Sequence, residues 1–556
     1  LAIGAPARWY LVHLQSKANL NVAGFTVPGI PLVMSGRNPT LSWGLTNGMI
    51  DECDYFILKP DSSGTGYITP AGIRPITKIS SQIPIRTFDG SGKRYEKIEI
   101  KLTDNGPIVS DLNTFELGRK FVSDKQTKHL VPMNETAMGR HPLVAIEWNG
   151  LFALKDELGC FFKLHHARNI EEARTAFSDF ATPCLNLILA EAKTGQVGYQ
   201  LIGRLPIRNG SEERAMLPRY AESAYDAWQG FVTESNLPHG FDPATGFFVS
   251  ANNPATANRS IPQSENWEPP GRAERLTQLL ENTKKMDLGK MEQVMTDTSS
   301  PFEKNELAFH LLRIYRGTNP DTTHKNDVNF NAALDYLENW DGKQGRYDIS
   351  TSIINVFMLR LITNTFSDEL GTDLLAEFSY LNNVPPRTIG HLLNDPNNIW
   401  WDDIRSPQRE TRDDIIKQSF QEALIYLKQK LGSDIRQWNW GKLHWLTYKH
   451  PFADESKEVA ALGNIDFGYA PGGLTTVIQA SYGFWNPFLQ RVGPSMRSVA
   501  DMKTDVLYAV LPTGNSGNMF SPHYRDMFPV FNSGNLIEVS LDRKDPSWKK
   551  LVLLPE

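Results

Sequence analysis

LSWGLTNGMIDECDYF (residues 41–56) changes character halfway along. Polar and apolar residues alternate through Leu41–Thr46, and Asn47-Gly48 is turn punctuation. Asp51, Glu52 and Asp54 then gather three acids before Tyr55 and Phe56. The first half reads as a short β-strand closed by a turn. The second half poses a choice. Asp51 and Asp54 can offer carboxylates across a short bend and Cys53 its carbonyl. Calcium takes about six to eight oxygens, so these three residues alone do not complete a site, and a solvated acidic turn fits the spacing as well.

Outward from this stretch, GFTVPGIPLVMSGRNPTLSWGLTNG (24–48) strings short β-type runs between Gly and Pro. KRYEKIEIKLTDNGPIVSD (93–111) alternates and breaks at Asn105-Gly106-Pro107. Residues 1–250 therefore read mainly as strands and turns, with one helical period at NIEEARTAFSDF (169–180). From about 271 the period becomes 3.6: GRAERLTQLLENTKKM (271–286), NELAFHLLRIYRG (305–317), NFNAALDYLENW (329–340), TSIINVFMLRLITNTF (351–366) and DDIIKQSFQEALIYLKQKLG (413–432) repeat apolar residues at helical spacing. After WNWGKLHWLTYKHPF (438–452) short strands return. This predicts a β-rich part over 1–270, a mainly helical insertion over 271–437 and a β-rich return over 438–556, interlaced as one domain.

The chain has 556 residues, 40% hydrophobic and 22% charged, with a net charge of −6. That is long enough for a large core and too mildly acidic for a nucleic-acid partner, which needs a concentrated basic face. No stretch of about 18 purely apolar residues predicts a membrane span. Cys53, Cys160 and Cys184 are an odd number with no zinc spacing. No GxGxxG follows a strand, no phosphate-binding GxxxxGK[ST] occurs, His165-His166 opens no HExxH, and TGNSGN (513–518) is not GxSxG. SANNPA (250–255) reads as a turn, although an Asn amide there could equally donate to an oxyanion formed during acyl transfer.

Nine stretches together resemble, in order, the large β chain of the penicillin acylase family: IGAPARWYLVHL, LSWGLTNGMIDECDYF, DNGPIVSD, GQVGYQLIGRLPIR, FVSANNPA, GRAERLTQLL, WNWGKLHWLTYKHPF, GPSMRSVADM and LPTGNSGNMFSPHYRDMFPVF. The resemblance implies an α+β fold, the αββα sandwich of N-terminal-nucleophile hydrolases with a helical excursion. It implies an amidohydrolase acting on N-acyl compounds, penicillin-like or N-acyl-homoserine-lactone-like, made by self-cleavage of a precursor. The nucleophilic serine is then expected upstream of Leu1, and a small α chain from the same precursor is the expected partner. Export to the periplasm or beyond is expected as well.

By resemblance the oxyanion donors are the backbone N–H of Asn47 and the side chain of Asn252, with Arg275 orienting the polar network. Leu1, Ser35, Leu45, Trp148 and Leu185 fall on acyl-pocket positions. Asp51, the Cys53 carbonyl and Asp54 fall on a calcium loop. Where relatives carry a further Asp ligand, this sequence has Gln263, with Glu265 nearby. No organic cofactor is implied. The rival expectation is a non-catalytic, aromatic-rich binding protein on the same scaffold.

Overall fold

The computed structural model describes the chain except for residues 1–2, 88–89, 91, 111–142, 153–154, 211–215, 259–260, 262–263, 265, 485–486, 543–551 and 553–556. Leu1, Gln263 and Glu265 therefore lie outside the described residues. Strands β1 (Tyr10–Gln15), β2 (Asn21–Thr26), β3 (Ser35–Arg37), β4 (Leu41–Asn47), β5 (Cys53–Leu58), β6 (Leu143–Trp148), β7 (Leu185–Glu191), β8 (Val197–Ile202), β9 (Arg219–Tyr220) and β10 (His239–Phe241) come from the first half. Seven of them form an antiparallel sheet in the order β1-β2-β3-β4-β7-β8-β10.

Period two decides what each face of this sheet meets. Val22, Trp43, Leu187 and Leu189 lie on one face. They form a core with Cys160, Phe161, Leu164, Ile170 and Phe177 of the helical layer, α1 (Glu157–His166), α2 (Ile170–Thr175) and the turn after α2. Asp156 and Asn169 start those helices by accepting the Gly159 and Glu172 amides, both at 2.8 Å. Ala23 and Phe25 lie on the other face. They pack with Leu507, Ala509 and Leu541, on or next to a second sheet of β11 (Arg497–Ala500), β12 (Val506–Val510) and β13 (Ile537–Ser540).

α3 (Gly271–Glu281) and α4 (Leu288–Met295) follow the first half in the chain, and α4 packs on β11. The layers are thus helix, sheet, sheet, helix. Strands from both chain ends build the two sheets, because each must bury one apolar face against the other.

The helical segment builds the largest core. α5 (Phe309–Arg316), α6 (Val328–Glu338), α7 (Ile349–Tyr380), α8 (Val384–Leu392) and α9 (Arg412–Leu431) bury Leu311, Leu334, Phe357, Leu361 and Phe420 with Trp401, Trp438 and Trp440. α7 is long and apolar enough by composition to cross a membrane, yet 72% of its apolar window is buried among its neighbours. It is a core helix, and Gly371 (φ 63°) interrupts it. Just before α5, Glu303–Ala308 form a π-helical segment.

Candidate active site

β4 and β7 set the centre of the site. Gly48 N–H donates to the Cys184 carbonyl at 3.0 Å, and Asn47 stands opposite Leu185. Antiparallel pairs alternate between bonded and non-bonded, so Asn47 turns its own N–H and C=O away from β7. β3 pairs with β4 only at Ser42 and Trp43, so among the described residues the last half of that β4 edge faces no strand. A Cβ on residue 48 would stand 2.8 Å from the Cys184 oxygen, which is why glycine follows Asn47.

The Ser250–Asn253 turn delivers the second part. The Ala251 amide donates to Asn253 Oδ1 at 3.0 Å, and Asn252 takes a left-handed backbone (φ 62°), which Asn tolerates better than most residues. Asn252 Nδ2 then donates to the Asn47 carbonyl at 3.1 Å. Its Oδ1 accepts Arg272 Nη2 at 2.9 Å, and the same nitrogen donates to the Ala251 carbonyl at 2.9 Å. Guanidinium groups only donate, so Arg272 fixes which end of the amide faces the site. An NH2 group has two hydrogens, and the Asn47 carbonyl uses one.

Arg275 lies one turn further along α3 and grips Asp297 through two hydrogen bonds, at 2.9 and 2.8 Å. The structure thus brings Asn47 and Asn252 together and sets Arg272, rather than Arg275, on the Asn252 amide. GRAER holds both arginines on one helical face. Spacing alone could not say which of them meets the turn.

The acidic loop is arranged differently. Asp54 Oδ2 accepts Arg208 Nε at 2.6 Å and Trp228 Nε1 at 2.5 Å, while Arg219 Nε stands 3.2 Å from Oδ1. Arg208 Nη2 donates to the Asp51 carbonyl at 2.9 Å and lies 3.5 Å from its carboxylate. All of Arg208, Arg219 and the Asp54 carboxylate are buried. Burial pushes the Asp51 carboxyl up to about 6, against the pull of Arg208. β9 runs parallel to β5, which is how Arg219 reaches Asp54.

Calcium does not fit this donor set. Both Asp54 oxygens already face cationic or N–H groups, and among the described residues no cluster of three or more His, Cys, Asp or Glu could hold a metal ion. The Cys53 position sits opposite Trp148 in the β5–β6 ladder, next to this paired carboxylate rather than beside an open cation cradle.

The penicillin amidase family model matches residues 1–546. The chain belongs to the penicillin amidase family. It is 28% identical to the acyl-homoserine lactone acylase QuiP of Pseudomonas aeruginosa, over all of this chain and 66% of that protein. It is 27% identical to the QuiP of Pseudomonas syringae pv. tomato, over 98% and 64%. Penicillin acylase 2 proenzyme of Pseudomonas sp. matches at 21% identity, over 93% and 61%. The chain therefore spans about two thirds of the curated relatives it matches. The structure of the thermostable penicillin G acylase from Alcaligenes faecalis superposes with a TM-score of 0.74 at 17% identity, covering 100% of this chain and 96% of that one, so the αββα fold is shared.

Within this penicillin amidase scaffold the acyl-pocket positions separate. Leu45 and Leu185 are partly buried and pack toward the α1–α2 core, on the Asn47 side of the sheet. Ser35 is buried on the opposite face, its Oγ donating to the Trp43 carbonyl at 3.3 Å. Trp148 ends β6 and is 40% exposed. Sequence reasoning missed Arg272, Arg208 and Arg219. Each acts through a partner distant in the chain, and no local pattern marks such a pairing.

Proposed function

We propose that the protein hydrolyses the amide of N-acyl compounds by acyl transfer, with acyl-homoserine lactones as the first class to test. The observation that carries this reading is the meeting of Asn47 and Asn252 at an open strand edge, with the Asn252 amide oriented by Arg272. The Asn47 N–H and the second Asn252 hydrogen are the oxyanion donors. Family membership supports the reaction class. The QuiP acyl-homoserine lactone acylases align at higher identity than the penicillin acylase, which favours the lactone class over penicillins.

In this mechanism an N-terminal serine encoded before Leu1 attacks the acyl carbon. Its hydroxyl proton passes to the α-amine of the same residue, whose reference pKa near 7.7–8.0 suits a base at neutral pH. The carbonyl oxygen gains the electron pair and rests on the two donors. The C–N bond then breaks, and the α-amine's proton leaves with the amine. Water attacks the resulting ester by the same route and releases the acid. No step uses a metal ion. The small α chain would complete the enzyme, which is read as periplasmic or secreted.

The test uses the full-length gene product. N-terminal sequencing with intact mass is expected to find a serine, threonine or cysteine heading the large chain, and incubation with N-acyl-homoserine lactones to release homoserine lactone. A single unprocessed chain that binds acyl compounds without turnover would instead establish the binding-protein reading.

A further inference from the structure

The Asn47 carbonyl has a second amide on it. Asn186, fully within the sheet on β7, donates from Nδ2 to the Asn47 carbonyl and to Thr46 Oγ1, both at 3.2 Å. Its own Oδ1 accepts the Tyr199 hydroxyl at 2.8 Å. Tyr199 stands on β8, one strand further into the sheet, and its burial pushes the phenol up, so the hydroxyl keeps its proton and donates. Thr46 Oγ1 also meets Ser250 Oγ, from the turn that carries Asn252.

The arrangement is therefore symmetrical in its logic. Two side-chain amides converge on one backbone oxygen, and each has its carbonyl end held by a donor: Arg272 behind Asn252, Tyr199 behind Asn186. An amide has one acceptor end and one donor end, so a fixed donor behind it removes the flipped state. Asn186 also touches the residues on both sides of the Asn47 N–H, through Thr46 Oγ1 and the Asn47 carbonyl.

We infer that Asn186 and Tyr199 are positioning residues for the oxyanion-binding backbone: they lock the Thr46–Gly48 segment so that the Asn47 N–H is aimed before substrate arrives. This rests on the reading of Asn47 and Asn252 as oxyanion donors. Aim matters because a preorganised donor contributes only where it points at the position the developing charge will occupy. Neither residue needs to touch substrate for this role.

Asn186→Asp keeps size and replaces the donor with a carboxylate oxygen facing the Asn47 carbonyl. Tyr199→Phe keeps the ring and frees the Asn186 amide to flip. In the full-length, processed enzyme, Asn186→Asp is expected to lower kcat about tenfold, short of the 10²–10³ of a lost direct donor. KM and inhibition by the product carboxylic acid should stay unchanged, because that acid forms no tetrahedral oxyanion. Tyr199→Phe should act in the same direction and less, about two- to fivefold.

An aldehyde analogue of the acyl group, which captures the serine as a tetrahedral adduct, should bind more weakly to both variants. Unchanged kcat in both, or parallel loss of kcat, product-acid affinity and thermal midpoint, overturns the inference. Asn252→Ala is measured alongside. If it too leaves kcat unchanged, the oxyanion reading itself falls and the clamp with it. If it alone lowers kcat, only the clamp falls.

Discussion

Buried arginines meet polar groups at Asn252 and at Asp54, and the two places use them oppositely. At Asn252 one guanidinium takes the acceptor end of a neutral amide and leaves donor capacity facing an open edge. At Asp54 two guanidiniums and an indole surround a carboxylate on both oxygens. The first arrangement leaves a hydrogen bond unspent, which is what a site for a transient oxyanion needs. The second leaves neither oxygen of the carboxylate free, which is what a structural joint needs. Donor capacity turned to an open edge, more than residue type, separates a reactive site from a strut.

The comparison breaks first at the strut. Arg219→Met leaves Asp54 and Asp226 facing a buried apolar side chain. Removing one partner of a buried pair typically costs about 3–5 kcal/mol. Urea unfolding should register a loss of that order, with residual activity of the folded fraction retained. A loss under about 1 kcal/mol would mean the cluster is solvated and the strut description is wrong. At the other place the outcomes should be reversed. Asn252→Ala is expected to cut kcat for N-acyl amides about 10²–10³-fold with little change in the unfolding midpoint. If stability falls and kcat does not, the two places have been assigned the wrong way round.

How far this contrast was legible beforehand follows from range in the sequence. The helices at 305–317, 329–340 and 413–432 announce themselves by local period, and α5, α6 and α9 lie there. The turn at SANNPA and the strand ending at Asn47 are local as well, and the family resemblance joined them. Asp51 and Asp54 looked like a cation site because carboxylates attract cations, and they do hold cations. Those cations are Arg208 and Arg219, more than 150 residues away in the chain, and a parallel strand that no short window reveals delivers Arg219. Arg272 and Arg275 share one helix face, so only the packed turn tells them apart.

A third buried group sharpens the rule. Glu303 is fully buried in the π-helical segment, accepts the Thr475 hydroxyl, and among the described residues forms no ion pair. Burial pushes its carboxyl up to about 7 from 4.5. The folded state therefore holds the proton between about pH 4.5 and 7 while the unfolded chain has released it. Stability is full below pH 4.5 and declines as pH rises to 7, by on the order of 3 kcal/mol from this group. Glu303→Gln should remove that slope in unfolding experiments run from pH 4 to 8. A slope that persists in Glu303→Gln would assign it to other groups, the Asp51 carboxyl at about 6 among them.

The smallest expected effect is the most direct test of the strut. If Arg208 and Arg219 supply the positive charge at Asp51 and Asp54, the loop has no need of calcium. Excess chelator should leave the unfolding midpoint and kcat of the processed enzyme unchanged, and added millimolar calcium should change neither. A ligand that binds only the folded state raises stability by about 2.7 kcal/mol at a hundredfold excess over its Kd, so even a modest site would show. The informative control is Arg208→Gln with Arg219→Gln. Removing both guanidiniums exposes the two carboxylates and the Cys53 carbonyl to a cation for the first time. Recovery of stability by calcium in that double variant, and not in the parent, would show that the guanidinium pair occupies the electrostatic place of a divalent ion. Recovery in the parent would show that the arginines yield to calcium, and the contrast between a spent and an unspent site would no longer hold.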